Sequence, residues 1–240
     1  SIAFAIIGVT LIYSEWNSKI RHTSKVFISA MPGVANYFPD EILESTEKEF
    51  CREAVTLGIP QGHNENIVQQ IKRYNSELDA DIFKRFILQE ECQRIYIGGL
   101  ARMPFLVAYG AFLRNVTSEI LYFDKFHKNG KWSLLSDVNS NITFESTPLV
   151  LQANKSGDIG LALGMTTPIT LDQIPKNLHN FITILRPTTE NDRNLIKNQV
   201  NLQELSSKLR PIIDQLSAVT GCNKIYLFLS VQSNLAIEIG

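Results

Sequence analysis

The chain has 240 residues, a net charge of −1 and a hydrophobic fraction of 44%. This length fits one large domain or two of about half the size, with enough apolar residues for a sizeable core. The balanced charge argues against a protein that binds duplex nucleic acid through a broad basic face. The three cysteines form no Cys-x-x-Cys pair, so we interpret them as reduced residues of a cytosolic domain.

The N-terminal residues 2–13 carry no charge. A helix of this length spans about 18 Å, short of the roughly 30 Å hydrocarbon core, so length alone favours a buried strand or a core helix. Trp16 follows, and then Lys19, Arg21 and Lys25, a pattern typical of the cytoplasmic end of a membrane span. We therefore predict that residues 1–16 are the end of a transmembrane helix.

The next stretch predicts the first strand of the soluble part and the helices that follow it. Residues 25–30 are predicted to form the strand, which would end at a turn of residues 31–33. Residues 42–57 show the apolar spacing of an amphipathic helix. Residues 64–91 show the same spacing and predict one long helix or two shorter ones.

Residues 92–110 predict a strand, a glycine turn and a helix. The apolar run at 94–97 favours a buried strand. Gly98-Gly99 is interpreted as a turn where the backbone can approach a ligand closely. Pro104 suits the first turn of a helix that begins near Met103.

Two hairpins are predicted after this unit, 119–123 with 131–135 and 149–153 with 158–163. Residues 168–180 are interpreted as a connector, and residues 181–185 as the strand that opens the second half. Residues 202–216 have helical apolar spacing, with Pro211 expected to kink or split the helix.

The chain also contains an internal repeat, because residues 222–240 align without a gap on residues 92–110. Cys92 matches Cys222, Tyr96 matches Tyr226, and Gly110 matches Gly240. A chain built from two similar α/β halves can form a shared cleft between them. The repeat therefore predicts two related halves with a site at their junction.

The expected site follows from the rule that open α/β sheets bind ligands beyond the carboxyl ends of their strands. Backbone amides, hydroxyls and arginines at those ends suit phosphate groups, and methionine and glutamine side chains suit bases. We expect ligand contacts from Ser29, Met31, Gly98, Gly99, Arg102, Met103, Arg186, Thr188, Ser230, Gln232 and Ser233. Lys131 and Trp132 would add a cation and a stacking surface, unless Trp132 is a core residue.

The sequence offers little for catalysis. Its four histidines are scattered, with no HExxH or HxH pair, so we predict no metal site and no cofactor. It has no GxSxG elbow, no Walker lysine loop and no GxGxxG fingerprint. We therefore predict a binding protein without catalytic residues.

Several of these segments resemble the SAVED domain. They are residues 95–104, Ile-Tyr-Ile-Gly-Gly-Leu-Ala-Arg-Met-Pro, residues 156–163, residues 224–230 and residues 234–240. The resemblance covers residues 25–240 and implies an α/β fold of two fused CARF-like, Rossmann-type halves that form one pseudo-symmetric SAVED domain. The halves would comprise residues 25–165 and 166–240, with the second expected to be incomplete at its C-terminus.

The resemblance also implies a function. SAVED domains are sensors in bacterial CBASS antiphage defence; they bind a cyclic di- or trinucleotide made by a partner nucleotidyltransferase and pass the signal to a fused effector. With residues 1–16 as a membrane segment, the chain resembles a transmembrane-SAVED effector at the bacterial inner membrane. The SAVED domain would lie on the cytoplasmic side and form a homo-oligomer when ligand binds.

Two other functions stay open. One is a nucleotide-cleaving enzyme that uses the same cleft, as some CARF relatives do. The other is a membrane-anchored interaction domain that binds no small molecule.

Overall fold

The structure is a computed structural model. It describes residues 2–29, 31, 37–44, 55–58, 68–69, 72, 94–114, 116–126, 130–135 and 142–240. The chain divides into two compact units, one of residues 1–125, 132–134 and 240 and one of residues 126–131 and 135–239.

The first unit contains a five-stranded sheet. Its elements are α1 (Ile2–His22), β1 (Thr23–Ser29), β2 (Val55–Gly58), β3 (Arg94–Leu100), α2 (Met103–Leu113), β4 (Glu119–Lys125) and β5 (Trp132–Leu134). The strand order is β2-β1-β3-β4-β5, parallel except for the antiparallel edge strand β5. The apolar runs of β1 and β3 are buried because both strands lie inside a parallel sheet, and the predicted strands at 25–30 and 94–97 are confirmed.

The predicted turn at Gly98-Gly99 is wrong, because both glycines lie inside β3. The strand continues to Leu100, which pairs with Ser29 of β1. A Cβ at Gly98 would lie 2.7 Å from a ring carbon of Phe123, and one at Gly99 would collide with the backbone carbonyl of Ile28. Glycine is needed here for close packing rather than for a change of chain direction.

The predicted helix at 42–57 is wrong at its C-terminal end. Residues 40–42 form a single 3₁₀ turn, and Val55–Gly58 form β2, which pairs in parallel with β1. A strand partner next to the buried β1 overrides the helical spacing of this stretch. Residues 45–54 lie outside the described part. So does nearly all of the predicted helix at 64–91, of which residues 68, 69 and 72 are described and helical.

Two neighbouring predictions are confirmed. Helix α2 begins at Met103 with Pro104 in its first turn, and it buries Phe105, Leu106 and Tyr109. Strands β4 and β5 form the predicted hairpin, with Phe123 opposite Leu134.

Helix α1 carries its apolar side chains on the surface. Phe4 is 81% exposed and Ile12 is 70% exposed. The rings of Tyr13 and Trp16 lie 6.4 Å apart near the middle of the helix. Within the described residues, no helix is both long enough and apolar enough to cross a bilayer.

The second unit contains a four-stranded sheet. Its elements are β6 (Phe144–Ser146), β7 (Asp158–Gly164), β8 (Ile182–Pro187), α3 (Gln199–Ser217), β9 (Lys224–Ser230) and α4 (Ser233–Ile239). The strand order is β6-β8-β7-β9, with β6 antiparallel to β8 and the other pairs parallel. The predicted strand at 181–185 is confirmed as β8, and the predicted helix at 202–216 is confirmed as α3, which runs through Pro211 without splitting.

The predicted hairpin of 149–153 with 158–163 is wrong. Strand β7 instead lies between β8 and β9, and residues 149–153 form no strand. An almost wholly buried apolar run fits a central parallel strand, which needs a cover on both faces, better than it fits one arm of a hairpin. The compact unit that contains β7 includes residues 135–239.

Candidate functional site

The carboxyl edge of the second sheet gathers polar side chains from three segments. Strands β7 and β9 end level with each other, because Gly164 pairs with Ser230. The chain leaves this edge at residues 165–167, 188–198 and 231–234. These three segments supply the groups that a ligand at the edge would meet.

Three hydroxyls meet at the end of β9; we call Thr166, Thr167 and Ser230 the hydroxyl cluster. Ser230 Oγ lies 2.9 Å from Thr166 Oγ1 and 2.6 Å from Thr167 Oγ1, and it accepts a hydrogen bond of 3.1 Å from Thr167 N. A serine hydroxyl donates one hydrogen bond and accepts two. The Ser230 hydroxyl therefore donates to one threonine and accepts from the other. The threonine that accepts keeps its own O–H to donate elsewhere.

The loop of residues 188–198 is fastened to this edge by side-chain amides. Asn191 Nδ2 donates to the carbonyl oxygens of Gly164, at 2.6 Å, and of Met165, at 3.1 Å. Gln232 is buried and accepts from Ile196 N at 2.5 Å through Oε1, while its Nε2 donates to Ile196 O at 3.1 Å. These bonds hold the loop against the ends of both β7 and β9.

The same loop lines a cavity of about 420 Å³, which is within the usual size range of small-molecule sites. Its lining residues are Ile142, Thr189, Glu190, Asn191, Asp192, Asn194, Leu195 and Lys197. The lining combines two carboxylates, two amides and one ammonium group. Such a surface offers hydrogen-bond donors and acceptors to a neutral polar group.

The five predicted residues of this unit all lie at or just after the carboxyl ends of β8 and β9, but two of them bond to strand β6 or the residue before it. Ser230 belongs to the hydroxyl cluster, Gln232 holds the loop, and Ser233 is buried at the start of α4. Arg186 and Thr188 instead hold the edge strand β6. Arg186 Nε donates to Glu145 Oε1 at 2.7 Å, and the backbone N of Thr188 donates to the carbonyl of Thr143 at 2.9 Å.

The predicted residues of the first unit divide in a similar way. Ser29 is buried at the end of β1, whereas Met31 is 41% exposed. Arg102 is exposed, and its carbonyl accepts the backbone N–H groups of Phe105 and Leu106 at the start of α2, where Met103 is the first helical residue. Gly98 and Gly99 lie inside β3, and Leu100 is the residue at the carboxyl end of that strand.

Trp132 packs in the core of the first unit. Its ring meets Phe27 edge-on at 5.2 Å and Phe123 at 5.7 Å. The reading of Trp132 as a core residue is therefore favoured over its use as a stacking surface. Lys131, next to it, is exposed, and its carbonyl accepts from Phe126 N at 3.0 Å.

Thr166, Thr167 and Asn191 were missed in the sequence. A signal was present for the two threonines, because Thr166 and Thr167 directly follow a long apolar run, as residues at the carboxyl end of a buried strand do. Because that run was predicted as one arm of a hairpin, its carboxyl end was not considered as part of the edge of a parallel sheet.

At the amino ends of strands β3 and β4 in the first sheet, Arg94 Nε lies 2.8 Å from Glu119 Oε2. Burial lowers the pKa of Arg94, but the hydrogen bonds and charges of Glu119 and Tyr96 together outweigh it, so the pKa is raised. This arginine is a structural cation, away from the carboxyl edge. Within the described residues no group of histidine, cysteine or acidic side chains has the arrangement of a metal site.

Comparison with known proteins identifies the family. The model of the SMODS-associated and fused to various effectors sensor domain, SAVED, matches residues 79–240. This range includes the whole carboxyl edge of the second sheet. The comparison with curated proteins gives no match.

Two solved structures share the fold. Both are of the Acinetobacter baumannii Cap4 SAVED/CARF-domain containing receptor, one with the cyclic trinucleotide 3′3′3′-cAAA and one with 2′3′3′-cAAA. The first matches with a TM-score of 0.56 at 13% identity and the second with 0.52 at 14%. Each match covers 90% of this chain and 45% of the Cap4 chain, so this chain spans less than half of that receptor. The α/β fold predicted from the resemblance is confirmed, and the chain belongs to the SAVED family of sensor domains.

Proposed function

We propose that this protein is a non-enzymatic sensor of a cyclic di- or trinucleotide in CBASS antiphage defence. The observation that carries the proposal is the SAVED family match over residues 79–240. The cyclic trinucleotides bound by the Cap4 receptor, which shares the fold, support the choice of ligand class. The partner that supplies the ligand would be a CBASS nucleotidyltransferase.

The carboxyl edge of the second sheet suits this ligand. The spare O–H of the hydroxyl cluster is a donor for a phosphodiester oxygen, and the cavity beside the loop offers donors and acceptors to a base. The Ser230 hydroxyl is engaged by Thr166 and Thr167, neither of which can act as a general base. Binding without cleavage is therefore favoured over the alternative of a nucleotide-cleaving enzyme.

The effector part of the proposal rests on α1. Its apolar side chains are exposed, and Trp16 precedes the basic residues Lys19 and Arg21. Exposed apolar groups next to aromatic and basic residues favour contact with a bilayer whose inner surface is anionic. We infer that α1 couples the sensor to the bacterial inner membrane, with the SAVED domain on the cytoplasmic side. Ligand-induced homo-oligomers would then act together to disrupt the membrane.

The test is a titration of the full 240-residue chain in mild detergent with 3′3′3′-cAAA, 2′3′3′-cAAA, a cyclic dinucleotide panel and linear triadenylate as control. A selective ligand at 100 times its Kd stabilises by about 2.7 kcal/mol, a Tm rise of about 5–10 °C. The ligand should be recovered intact, and the complex should be larger by light scattering. Recovery of a cleaved ligand would establish the enzyme instead, and no shift with any cyclic nucleotide would leave an interaction domain.

The membrane coupling has a separate test. Vesicles of anionic lipid loaded with a dye should leak when the chain and its ligand are added together, and should stay sealed with either alone. Replacing Ile7 and Leu11 by Ser, on the exposed surface of α1, should abolish leakage without changing the Kd of the ligand. Leakage that is unaffected by this double change would exclude α1 as the membrane-active element.

A further inference from the structure

One buried amide in the second unit lacks a hydrogen-bond partner. Asn234 is fully buried, and its Oδ1 accepts from the backbone N of Leu235 at 2.6 Å. Its Nδ2 is the one buried side-chain polar atom within the described residues for which the structure gives no partner. Buried polar groups are almost always paired, so an orphaned donor calls for an explanation.

Neighbouring buried amides show that this unit otherwise satisfies such groups. Both polar atoms of the Gln232 side chain bond to Ile196. Asn198 Oδ1 accepts from Asn201 N at 2.7 Å and caps α3. The orphan is thus specific to Asn234 rather than a general feature of the unit.

Asn234 lies close in sequence to the carboxyl edge of the sheet. It follows Ser230 of the hydroxyl cluster by four residues and Gln232 by two. The segment of residues 231–234 is wholly buried and is held to the loop by the two bonds between Gln232 and Ile196. Asn234 therefore belongs to the segment that leaves the edge where the proposed ligand binds.

The chemistry of the missing partner follows from the state of the amide. Oδ1 already accepts one hydrogen bond, whereas Nδ2 donates none, so the unsatisfied groups are its two N–H bonds, and they require an acceptor. A phosphate would bring a charge into a fully buried position, which costs much more than burying a neutral group. A ring nitrogen or carbonyl oxygen of a base is a neutral acceptor of the right kind.

We propose that Asn234 Nδ2 is a base-recognition donor that remains unpaired in the free protein and is satisfied by the cyclic nucleotide. Binding moves the segment of residues 231–234 and opens the bonds between Gln232 and Ile196. The unpaired donor destabilises the free state, and the ligand recovers that loss as affinity. This inference rests on the proposed function and adds to it a residue that contacts the base.

The test compares Asn234→Leu with Asn201→Leu, since Asn201 is equally buried but has no orphaned atom. Urea unfolding without ligand and calorimetric titration with 3′3′3′-cAAA are measured on both variants and the wild type. Asn234→Leu should keep or raise the urea midpoint and weaken binding about tenfold. Asn201→Leu should lower the midpoint and leave the Kd unchanged.

The outcomes separate this inference from the proposed function. If the wild type binds none of the cyclic nucleotides, both fail together. If the wild type binds and Asn234→Leu binds equally well, or if its midpoint falls as that of Asn201→Leu does, only the role of Asn234 is overturned. Asn234→Ala, which removes the amide without adding an apolar branch, is measured beside Asn234→Leu and should show the same loss of affinity.

Discussion

The two copies of the internal repeat have the same local structure in different surroundings. Strand β3 covers Arg94–Leu100 and α2 begins at Met103; strand β9 covers Lys224–Ser230 and α4 begins at Ser233, each 130 residues later. Yet β3 lies inside its sheet between β1 and β4, whereas β9 lies at the end of the strand order beyond β7. The sequence repeat therefore specifies the strand and helix, and the sheet decides how much each is buried.

The glycines show the consequence of this difference. In β3, Gly98 and Gly99 leave room for Phe123 and for the backbone of Ile28. Phe228 and Leu229 occupy the equivalent positions of β9, where both side chains remain partly exposed. A strand packed between neighbours needs small residues where they come close, and a strand at the edge of a sheet does not.

The largest contrast is expected at the paired tyrosines. Tyr96 is 1% exposed and Tyr226 is 42% exposed. Because a buried aromatic ring loses all of its packing on truncation, Tyr96→Ala should lower the free energy of unfolding by about 3–5 kcal/mol. Tyr226→Ala should cost about 1 kcal/mol or less. Urea unfolding of the two variants measures both values, and equal losses would contradict the difference in burial.

The glycine positions give the next largest effect. Gly99→Ala puts a Cβ against the backbone carbonyl of Ile28, which cannot move without shifting β1, so we expect a loss of about 3 kcal/mol. The equivalent change in the other copy is Leu229→Ala, which removes a partly exposed side chain and should cost about 1 kcal/mol. If Gly99→Ala unfolds at the urea concentration of the wild type, the close contact between β1 and β3 is absent in solution.

A smaller effect separates the carboxyl ends of the two strands. Ser230→Ala removes the hydroxyl at the centre of the hydroxyl cluster and should cost about 1 kcal/mol of stability. It should also weaken 3′3′3′-cAAA binding about tenfold, because the cluster is part of the proposed site. The equivalent residue is Leu100, and Leu100→Ala serves as the control that should leave the Kd unchanged. Calorimetric titration of both variants tests this, and an unchanged Kd in Ser230→Ala would remove the cluster from the site.

The smallest effect is expected from the ion pair at the amino end of β3. Arg94 and Glu119 are both partly exposed, so Glu119→Gln should cost about 0.5 kcal/mol or less. The pKa of Arg94 is raised, so its contribution is complete below the ordinary arginine pKa and is lost only as the pH rises through the folded-state value. The cost should therefore be constant across neutral pH and should shrink with added salt. A strong pH dependence between pH 6 and pH 8 would point to another group.

Part of the fold follows from the sequence because the signals are local. The start of α2 at Met103 needs only Pro104 and the apolar spacing after it, and the hairpin of β4 and β5 needs only the turn at Gly130. The carboxyl end of β9 was also predicted, and with it Ser230, Gln232 and Ser233. The motifs at 95–104 and 224–240 were enough to identify the SAVED family, which the family match confirms.

The strand partners were decided only by the tertiary structure, because hydrogen bonds between strands join residues far apart in the chain. The run at 158–163 does not reveal its partners by itself, and its pairing with both β8 and β9 is what shows a central strand rather than a hairpin arm. The hydroxyl cluster depends on that pairing, since Ser230 meets Thr166 across 64 residues. The sequence by itself thus determined the repeated strand–helix units and the family. The packing of the sheets decided which glycines fill close contacts, which aromatic rings are buried and which polar groups meet at the candidate site.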